Sequence, residues 1–179
     1  MPCTVRPLDP LVDAELVHGW VTRPEAAFWM MRDARLQDIE REYMAVAAHE
    51  HRHAFIGLLG GEPAFLLERY DPRHLELVGL YAPEPGDVGM RFLVAPTDAP
   101  AHDFSRTVIT AVMAELFADD SVRRVVVEPD VRDDAALTLH DHVGFEIVDR
   151  IEKPEKDAYL SFCTRESFAG LGARPGATP

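Results

Sequence analysis

Residues 86–117, GDVGMRFLVAPTDAPAHDFSRTVITAVMAELF, decide the fold of this 179-residue chain. The part GDVGMRFLVAP is predicted as a strand. The segment from Phe104 to Phe117 is predicted as a helix, because its apolar residues recur at helical spacing. The residues between this strand and this helix are predicted as a loop. A loop that leads into a helix offers the first main-chain amides of that helix to an anionic ligand. This helix nevertheless carries Asp103 at its start, and the strand carries Arg91 among apolar residues.

The segments on either side complete the order β-α-α-β-β-β-α-β-α-β-β, which predicts an α/β domain. A second strand after the central helix implies a right-handed parallel crossover. The expected strands lie at residues 4–8, twice within 53–72 around Gly60-Gly61, and at 86–96, 123–130, 145–152 and 157–168, and the helices at 9–21, 36–50, 104–117 and 133–143. One domain is expected over residues 1–168. Residues 169–179, rich in Gly, Pro and Ala, are expected to be disordered.

Composition narrows the class of partner. The formal net charge of −13 argues against nucleic acid and anionic membrane surfaces and suits a small cationic substrate, although an acidic surface also simply keeps a protein soluble. Cys3 and Cys163 show no metal-binding or disulfide spacing. No apolar run reaches the length of a membrane span, and the N-terminal residues lack a signal-peptide pattern. A cytoplasmic location is expected.

Several strings together resemble the GNAT acyltransferase superfamily. They are VTRPEAAFWMM (21–31), PAFLLERYDP (63–72), GDVGMRFLVAP (86–96), RVVVEPDVR (124–132), GFEIV (144–148) and LSFCTR (160–165). They are most similar to its siderophore-type branch, which acylates N-hydroxylated lysine or related diamines. The resemblance implies a mixed central sheet with splayed middle strands, flanking helices, and acyl-CoA as the donor.

Four functional positions depart from that branch. The branch usually has a histidine, its candidate for acid–base work, where this chain has Arg91, and a glycine where it has Asp103. It usually has asparagine at the positions of Asp133 and His140. The resemblance therefore fixes the expected fold more firmly than the reaction.

The donor site is expected at the start of the central helix. Asp103 there has two open interpretations: an ordinary N-cap that accepts hydrogen bonds from main-chain N–H groups, or an acid that weakens a phosphate site. Basic and polar groups within one turn can offset its charge. The residues expected to contact CoA are His102, Ser105, Arg106, Arg132 and the main chain of Phe92, Leu93 and Val94.

The catalytic candidates are Glu128, Arg91, His140 and Asp130. Arg91 cannot act as a base, so it either clamps a carboxylate or oxyanion, or forms an ion pair with a sheet carboxylate such as Glu68 or Glu128. Glu128 lies at the end of a buried strand, where desolvation favours a general base. Asp130 is the second candidate, with a loop-capping role as the alternative. His140 is a candidate to protonate the leaving thiolate, or is a solvated helix residue.

Glu68 and Tyr70 match a pair that faces the acceptor in the branch. Trp20 and Trp29, with Phe28 and Tyr81, are candidates to wall an aliphatic acceptor, although aromatic residues in such runs are also common in cores. The histidines of HEHRH (49–53) are expected to mark a helix end, and no metal site is expected. Two functions follow: acyl-CoA-dependent N-acylation of an amine or hydroxylamine, or a GNAT fold with a changed donor, a changed reaction or no chemistry.

Overall fold

The computed structural model describes residues 2–98 and 101–171, apart from the side chains of Ala101 and His102. The chain forms two compact units. The first comprises Met1–Asp71 and Met90–Ala101, and the second comprises Pro72–Gly89 and His102–Pro179. The cofactor role expected of the His102 side chain and most of the predicted disordered tail, residues 172–179, lie outside the described residues.

The first unit contains the N-terminal strands and helices. Its elements are β1 (Cys3–Pro7), α1 (Ala14–Val21), a 3-10 helix (Pro24–Trp29), α2 (Leu36–Ala47), β2 (Arg52–Leu59), β3 (Glu62–Tyr70) and the second half of β4 (Asp87–Val94). Strands β1, β2 and β3 pair antiparallel. Gly60 and Gly61 both have positive φ, 61° and 91°, so the predicted hairpin turn is confirmed.

The second unit contains the rest of the chain. Its elements are the first half of β4, α3 (Ala101–Ala118), β5 (Arg124–Val127), α4 (Asp134–His142), β6 (Glu146–Glu152), β7 (Asp157–Thr164) and α5 (Arg165–Leu171). Strands β4 and β5 pair parallel over Asp87–Gly89, and β7 lies between β5 and β6. The seven strands follow the order β1-β2-β3-β4-β5-β7-β6, so the expected mixed sheet with flanking helices is confirmed.

Each unit has its own apolar core. In the first unit, α1 and α2 pack Val17, Ile39 and Tyr43 with Ile56 and Leu66 of the sheet. The core of the second unit includes Leu77, Val126, Ile151, Ala158 and Leu160. Within the described residues, no helix combines the length and the apolar character that a membrane span requires.

Several boundaries differ from the prediction. Helix α3 begins at Ala101, three residues before Phe104, so Asp103 is the third residue of its first turn rather than its cap. The last strand ends at Thr164, whose hydroxyl accepts a hydrogen bond from the Ser167 N–H at 3.1 Å, an N-cap contact that starts α5. Residues 169–171 are therefore helical. Helix α1 begins at Ala14 rather than at residue 9.

The predicted helix α4 is present, and local residues mark its start and its end. The Asp133 carboxylate accepts a hydrogen bond from the Ala136 N–H at 3.0 Å and so caps the first turn. Gly144, at φ 93°, terminates the helix. Asp133 thus serves as the helix cap.

A buried ion pair ties the first halves of β4 and β5 together. Arg124 Nε and Nη2 each donate to the Asp87 carboxylate at 2.7 Å, and the guanidinium lies 3.9 Å from the Phe162 ring centroid. The Tyr81 hydroxyl donates to the same carboxylate at 3.0 Å. Burial alone would raise the pKa of Asp87, but the hydrogen bonds from Arg124, the Glu84 N–H and Tyr81 outweigh it and hold the pKa below its ordinary value.

We predict that Asp87→Asn lowers the free energy of unfolding at pH 7 by about 3 kcal/mol, because it removes the charge that balances the mostly buried Arg124. The lowered pKa makes the carboxylate stabilising above its unfolded pKa of roughly 3.9, and this stabilisation is lost as the pH falls through the folded value. The gap between variant and wild type should therefore narrow below about pH 4 in urea unfolding curves.

The matched control is Asp120→Asn, at an exposed position of the same unit. It should change the free energy of unfolding by less than about 0.5 kcal/mol. Equal stability of Asp87→Asn and wild type at pH 7 would contradict the assignment of this pair.

Candidate active site

Arg91 lies on the second half of β4 and contacts two elements of the first unit. Its guanidinium carbon is 3.7 Å from the Trp29 ring centroid, and Nη2 donates to the Trp29 carbonyl oxygen. Nη1 lies 3.9 Å from Glu68 Oε2. The ion pair with Glu68 expected as one alternative is therefore present, and a catalytic or clamping role of Arg91 stays a prediction.

Glu68 is the buried carboxylate of this group. Its side chain on β3 is 4% exposed, and Oε1 accepts a hydrogen bond from the Tyr43 hydroxyl at 2.8 Å. Burial and the nearby negative charge of Glu68 raise the pKa of Tyr43 well above its usual value, so the hydroxyl keeps the proton that it donates. Both Glu68 oxygens thus face a donor or a cation from this chain. We call Trp29, Tyr43, Glu68 and Arg91 the Arg91 cluster.

The local chain path explains how Trp29 comes to hold Arg91. The 3-10 helix begins at Pro24 and ends at Trp29, and Met30 reverses the chain in a left-handed conformation with φ 65°. The last carbonyls of a helix have no partner within it and favour a cation. The Arg91 guanidinium supplies both a donor and a positive charge to the Trp29 carbonyl.

Three other residues expected to bind the acceptor lie in the interior of the first unit: Trp20, Trp29 and Tyr70. Trp20 and Trp29 belong to its hydrophobic core, and Tyr70 at the end of β3 is also buried. Glu68, Trp29 and Arg91 are brought together, as a substrate-facing group requires. A direct contact of these residues with an acceptor stays a prediction.

Glu128 directly follows β5, as expected, but its carboxylate is paired. Oε1 lies 3.1 Å from Lys153 Nζ, and Oε2 lies 3.0 Å from Lys156 Nζ. Lys153 in turn lies 3.3 Å from a Glu76 oxygen and 3.0 Å from a Glu155 oxygen. A general base needs an available oxygen, so the role predicted for Glu128 requires one lysine to move away.

Asp130 takes the structural role that the sequence left as an alternative. Arg132 donates to it from Nε at 2.9 Å, from Nη2 at 2.8 Å and from its main-chain N–H at 2.9 Å. The hydrogen bonds from Arg132 lower the pKa of Asp130 to about 2. A carboxylate with this pKa is a weak proton acceptor at neutral pH, and a role as the second general base stays a prediction.

His140 matches neither interpretation of the sequence. It is buried, and its ring centroid lies 5.0 Å from that of Phe145. Burial lowers its pKa to about 4, below the near-neutral value of an ordinary histidine. At neutral pH only the neutral imidazole is available, which is a poor acid for a leaving thiolate. Asp141 and His142 beside it are exposed.

The start of α3 carries both a favourable and an unfavourable group for an anion. Within the described residues, the buried Nε of Arg106 has no hydrogen-bond partner, and Ser105 beside it is half-buried. A spare donor near a helix N-terminus suits a phosphate group. Asp103, exposed in the first turn, opposes it. Ser105 and Arg106 fit the pyrophosphate of CoA, and the negative charge of Asp103 weakens its binding.

The remaining donor-site candidates divide between the two units. Phe92, Leu93 and Val94 lie on β4 in the first unit, and Ser105, Arg106 and Arg132 lie in the second. Arg132 is exposed, with part of its guanidinium held by Asp130.

Sequence reasoning missed three partners. Tyr43 was not considered as a partner of Glu68, although a buried tyrosine usually needs a hydrogen-bond acceptor. Lys153 and Lys156 were not considered as partners of Glu128, from which 25 or more positions separate them. The signal in the sequence was Glu128 itself, because a carboxylate at the end of a buried strand needs a cation or a hydrogen-bond donor as its partner.

The chain is similar to known proteins of one family. The family model described as the acetyltransferase (GNAT) domain matches residues 9–153. The chain is 26% identical to a lysine N-acyltransferase, MbtK, of Mycobacterium sp. (strain MCS) over 80% of its length and 59% of that relative's length. It is 24% identical to an N-hydroxyputrescine acetyltransferase of Acinetobacter baumannii, over 87% of this chain and 74% of the relative.

A solved structure shows the same fold. The aminoglycoside acetyltransferase AAC(6')-Ib in complex with coenzyme A superposes with a TM-score of 0.81 at 22% identity, covering 94% of this chain and 98% of that one. The family model spans β4, α3 and β5, the elements that carry the candidate site. The chain therefore belongs to the GNAT acetyltransferase family.

Proposed function

We propose that this protein is an acyl-CoA-dependent N-acyltransferase. The acceptor is an amine or N-hydroxylated amine of a lysine-like or diamine molecule. The observation that carries the proposal is the family match over residues 9–153. The relatives named above for lysine and N-hydroxyputrescine support this acceptor class, and the net charge of −13 favours an acceptor that carries an ammonium group.

The donor is acetyl-CoA or another acyl-CoA. Ser105, Arg106 and Arg132 bind its phosphates. The observation that supports this assignment is that Arg106 Nε has no hydrogen-bond partner among the described residues. The thioester supplies an activated acyl group. Main-chain N–H groups at Phe92 and Leu93 stabilise the negative charge that develops on its oxygen, as preorganised donors do.

The acid–base groups of the chain favour a nucleophile that is already neutral. Glu128 is paired with two lysines, Asp130 has a pKa of about 2, and His140 has a pKa of about 4. A hydroxylamine is less basic than an alkylamine, so more of it is neutral at physiological pH and less help from a base is required. Positioning then supplies most of the rate enhancement. This argument supports an N-hydroxylated acceptor, and with it a role in siderophore or other specialised-metabolite biosynthesis.

One observation favours a second function. Arg91 stands where the similar branch usually has a histidine, and its guanidinium contacts Trp29 and Glu68. The second function is a changed donor, a changed reaction or a non-catalytic role in binding a small molecule. None of these requires an acid–base group on β4, so each is compatible with arginine at position 91.

Titration calorimetry and an acylation assay separate the two functions. We predict micromolar binding of acetyl-CoA and acetylation of N-hydroxylysine or N-hydroxycadaverine, with less turnover of an aminoglycoside such as kanamycin. The second function predicts that the protein does not bind acetyl-CoA in the calorimeter, although it has the GNAT fold. Absence of any heat or thermal shift with acetyl-CoA and longer acyl-CoAs would contradict the first.

Asp103→Asn tests the donor site. Removing a negative charge from the first turn of α3 should tighten acetyl-CoA binding by about two- to fivefold at low salt, because that turn favours anions. The dissociation constant is measured by calorimetry. The matched control is Glu115→Gln, which removes the same charge from an exposed position near the other end of α3 and should leave the affinity unchanged.

Equal affinities of wild type and Asp103→Asn would place the phosphates away from Asp103. An equal gain in Glu115→Gln would mean that only the net charge of the protein matters.

A further inference from the structure

We propose that Arg91 binds a carboxylate of the acceptor, so that the protein selects amino-acid-like acceptors over diamines of the same length. The inference rests on the proposed N-acyltransferase function and narrows its acceptor class. Four features of the first unit carry it: the exposure of Arg91, the burial of Glu68, the fixed plane of the guanidinium, and its place on β4.

The exposed charge of the Arg91 cluster is positive. Glu68 is 4% exposed, whereas the Arg91 side chain is 38% exposed. Both Glu68 oxygens face groups of this chain, the Tyr43 hydroxyl and the Arg91 guanidinium. An ammonium group that approached Glu68 would have to displace Arg91. The cluster therefore offers solvent a cation rather than the acidic site expected from Glu68 in the sequence.

The guanidinium is held with donors to spare. Its face lies on the Trp29 ring, and among the described residues its one hydrogen bond goes to the Trp29 carbonyl oxygen. An arginine has five N–H donors, and 3.9 Å between Nη1 and Glu68 Oε2 is too long for a hydrogen bond. The remaining donors match the two oxygens of a carboxylate, and a fixed plane loses little conformational entropy on binding.

Arg91 also lies beside the main chain assigned to the thioester. It directly precedes Phe92 on β4. Arginine and lysine side chains are similar in length, so an acceptor whose carboxylate meets the guanidinium can direct its terminal nitrogen back toward the strand. The residues on either side of Trp29, Phe28 at 39% and Met30 at 48% exposed, present apolar surface for a methylene chain.

Matched acceptor pairs test the inference. Lysine and cadaverine differ by one carboxylate, as do N-hydroxylysine and N-hydroxycadaverine. A charge-assisted bidentate contact predicts that wild type prefers the carboxylated member by about ten- to one-hundredfold, both in binding measured by calorimetry without a donor and in kcat/KM with acetyl-CoA.

In Arg91→Gln the preference should fall close to unity through weaker binding and a higher KM of the carboxylated acceptor. The value of kcat/KM should fall more for the carboxylated acceptor than for the decarboxylated one. Arg91→Lys keeps the charge but loses the planar fork, so its preference should be intermediate. Arg35→Gln removes an exposed arginine of the same unit and should behave as wild type.

The double variant Glu68→Gln/Arg91→Gln guards against misfolding, because it leaves no unbalanced buried charge. It should also lack the preference. Tighter or equal binding of cadaverine by wild type would overturn the inference, as would a preference that survives in Arg91→Gln. Selective lysine binding without acylation of either pair would instead contradict the proposed function and leave the carboxylate site standing.

Discussion

The arrangement of the first unit depends on one buried carboxylate. Glu68 lies on β3 with almost no exposed surface, and a charge removed from water is costly unless partners surround it. Tyr43 of α2 supplies a hydroxyl proton and Arg91 of β4 supplies a positive charge. Because Trp29 holds the other side of Arg91, one carboxylate links four elements: the 3-10 helix, α2, β3 and β4.

A common pattern runs through the other ionisable groups. Carboxylates that appeared available for catalysis in the sequence are engaged by cations of the same chain, as Glu128 is by two lysines and Asp130 by Arg132. His140 is instead kept neutral by burial. Together with the arginine on β4, these groups point to a reaction that relies on binding and orientation of an already nucleophilic nitrogen.

Much of the fold follows from local sequence. The Gly60-Gly61 hairpin, the strand–helix–strand order around α3 and the stop at Gly144 each rest on nearby residues whose backbone preferences agree with the final structure. The start of α5 was missed because Thr164 has strand propensity as well as capping ability, and here the cap decides. The start of α3 was placed late because the periodicity of apolar residues begins only after its first turn.

The candidate site was less predictable, because its chemistry depends on residues that are distant in the chain. Arg91 was recognised as unusual, but Trp29 lies 62 positions away, and only the fold shows that it holds the guanidinium. The pKa of His140 depends on packing by Phe145, which follows the turn that ends α4. The spacing of residues along the sequence does not show which distant side chains come into contact in the fold.

A crystal structure of the protein with CoA and N-hydroxylysine tests the central claim most directly. We predict the acceptor carboxylate within hydrogen-bond distance of the Arg91 guanidinium, with the Tyr43–Glu68 hydrogen bond retained and the acceptor nitrogen directed at the CoA sulfur. An acceptor ammonium bound to Glu68 with Arg91 displaced, or a CoA bound away from β4 and α3, would contradict it.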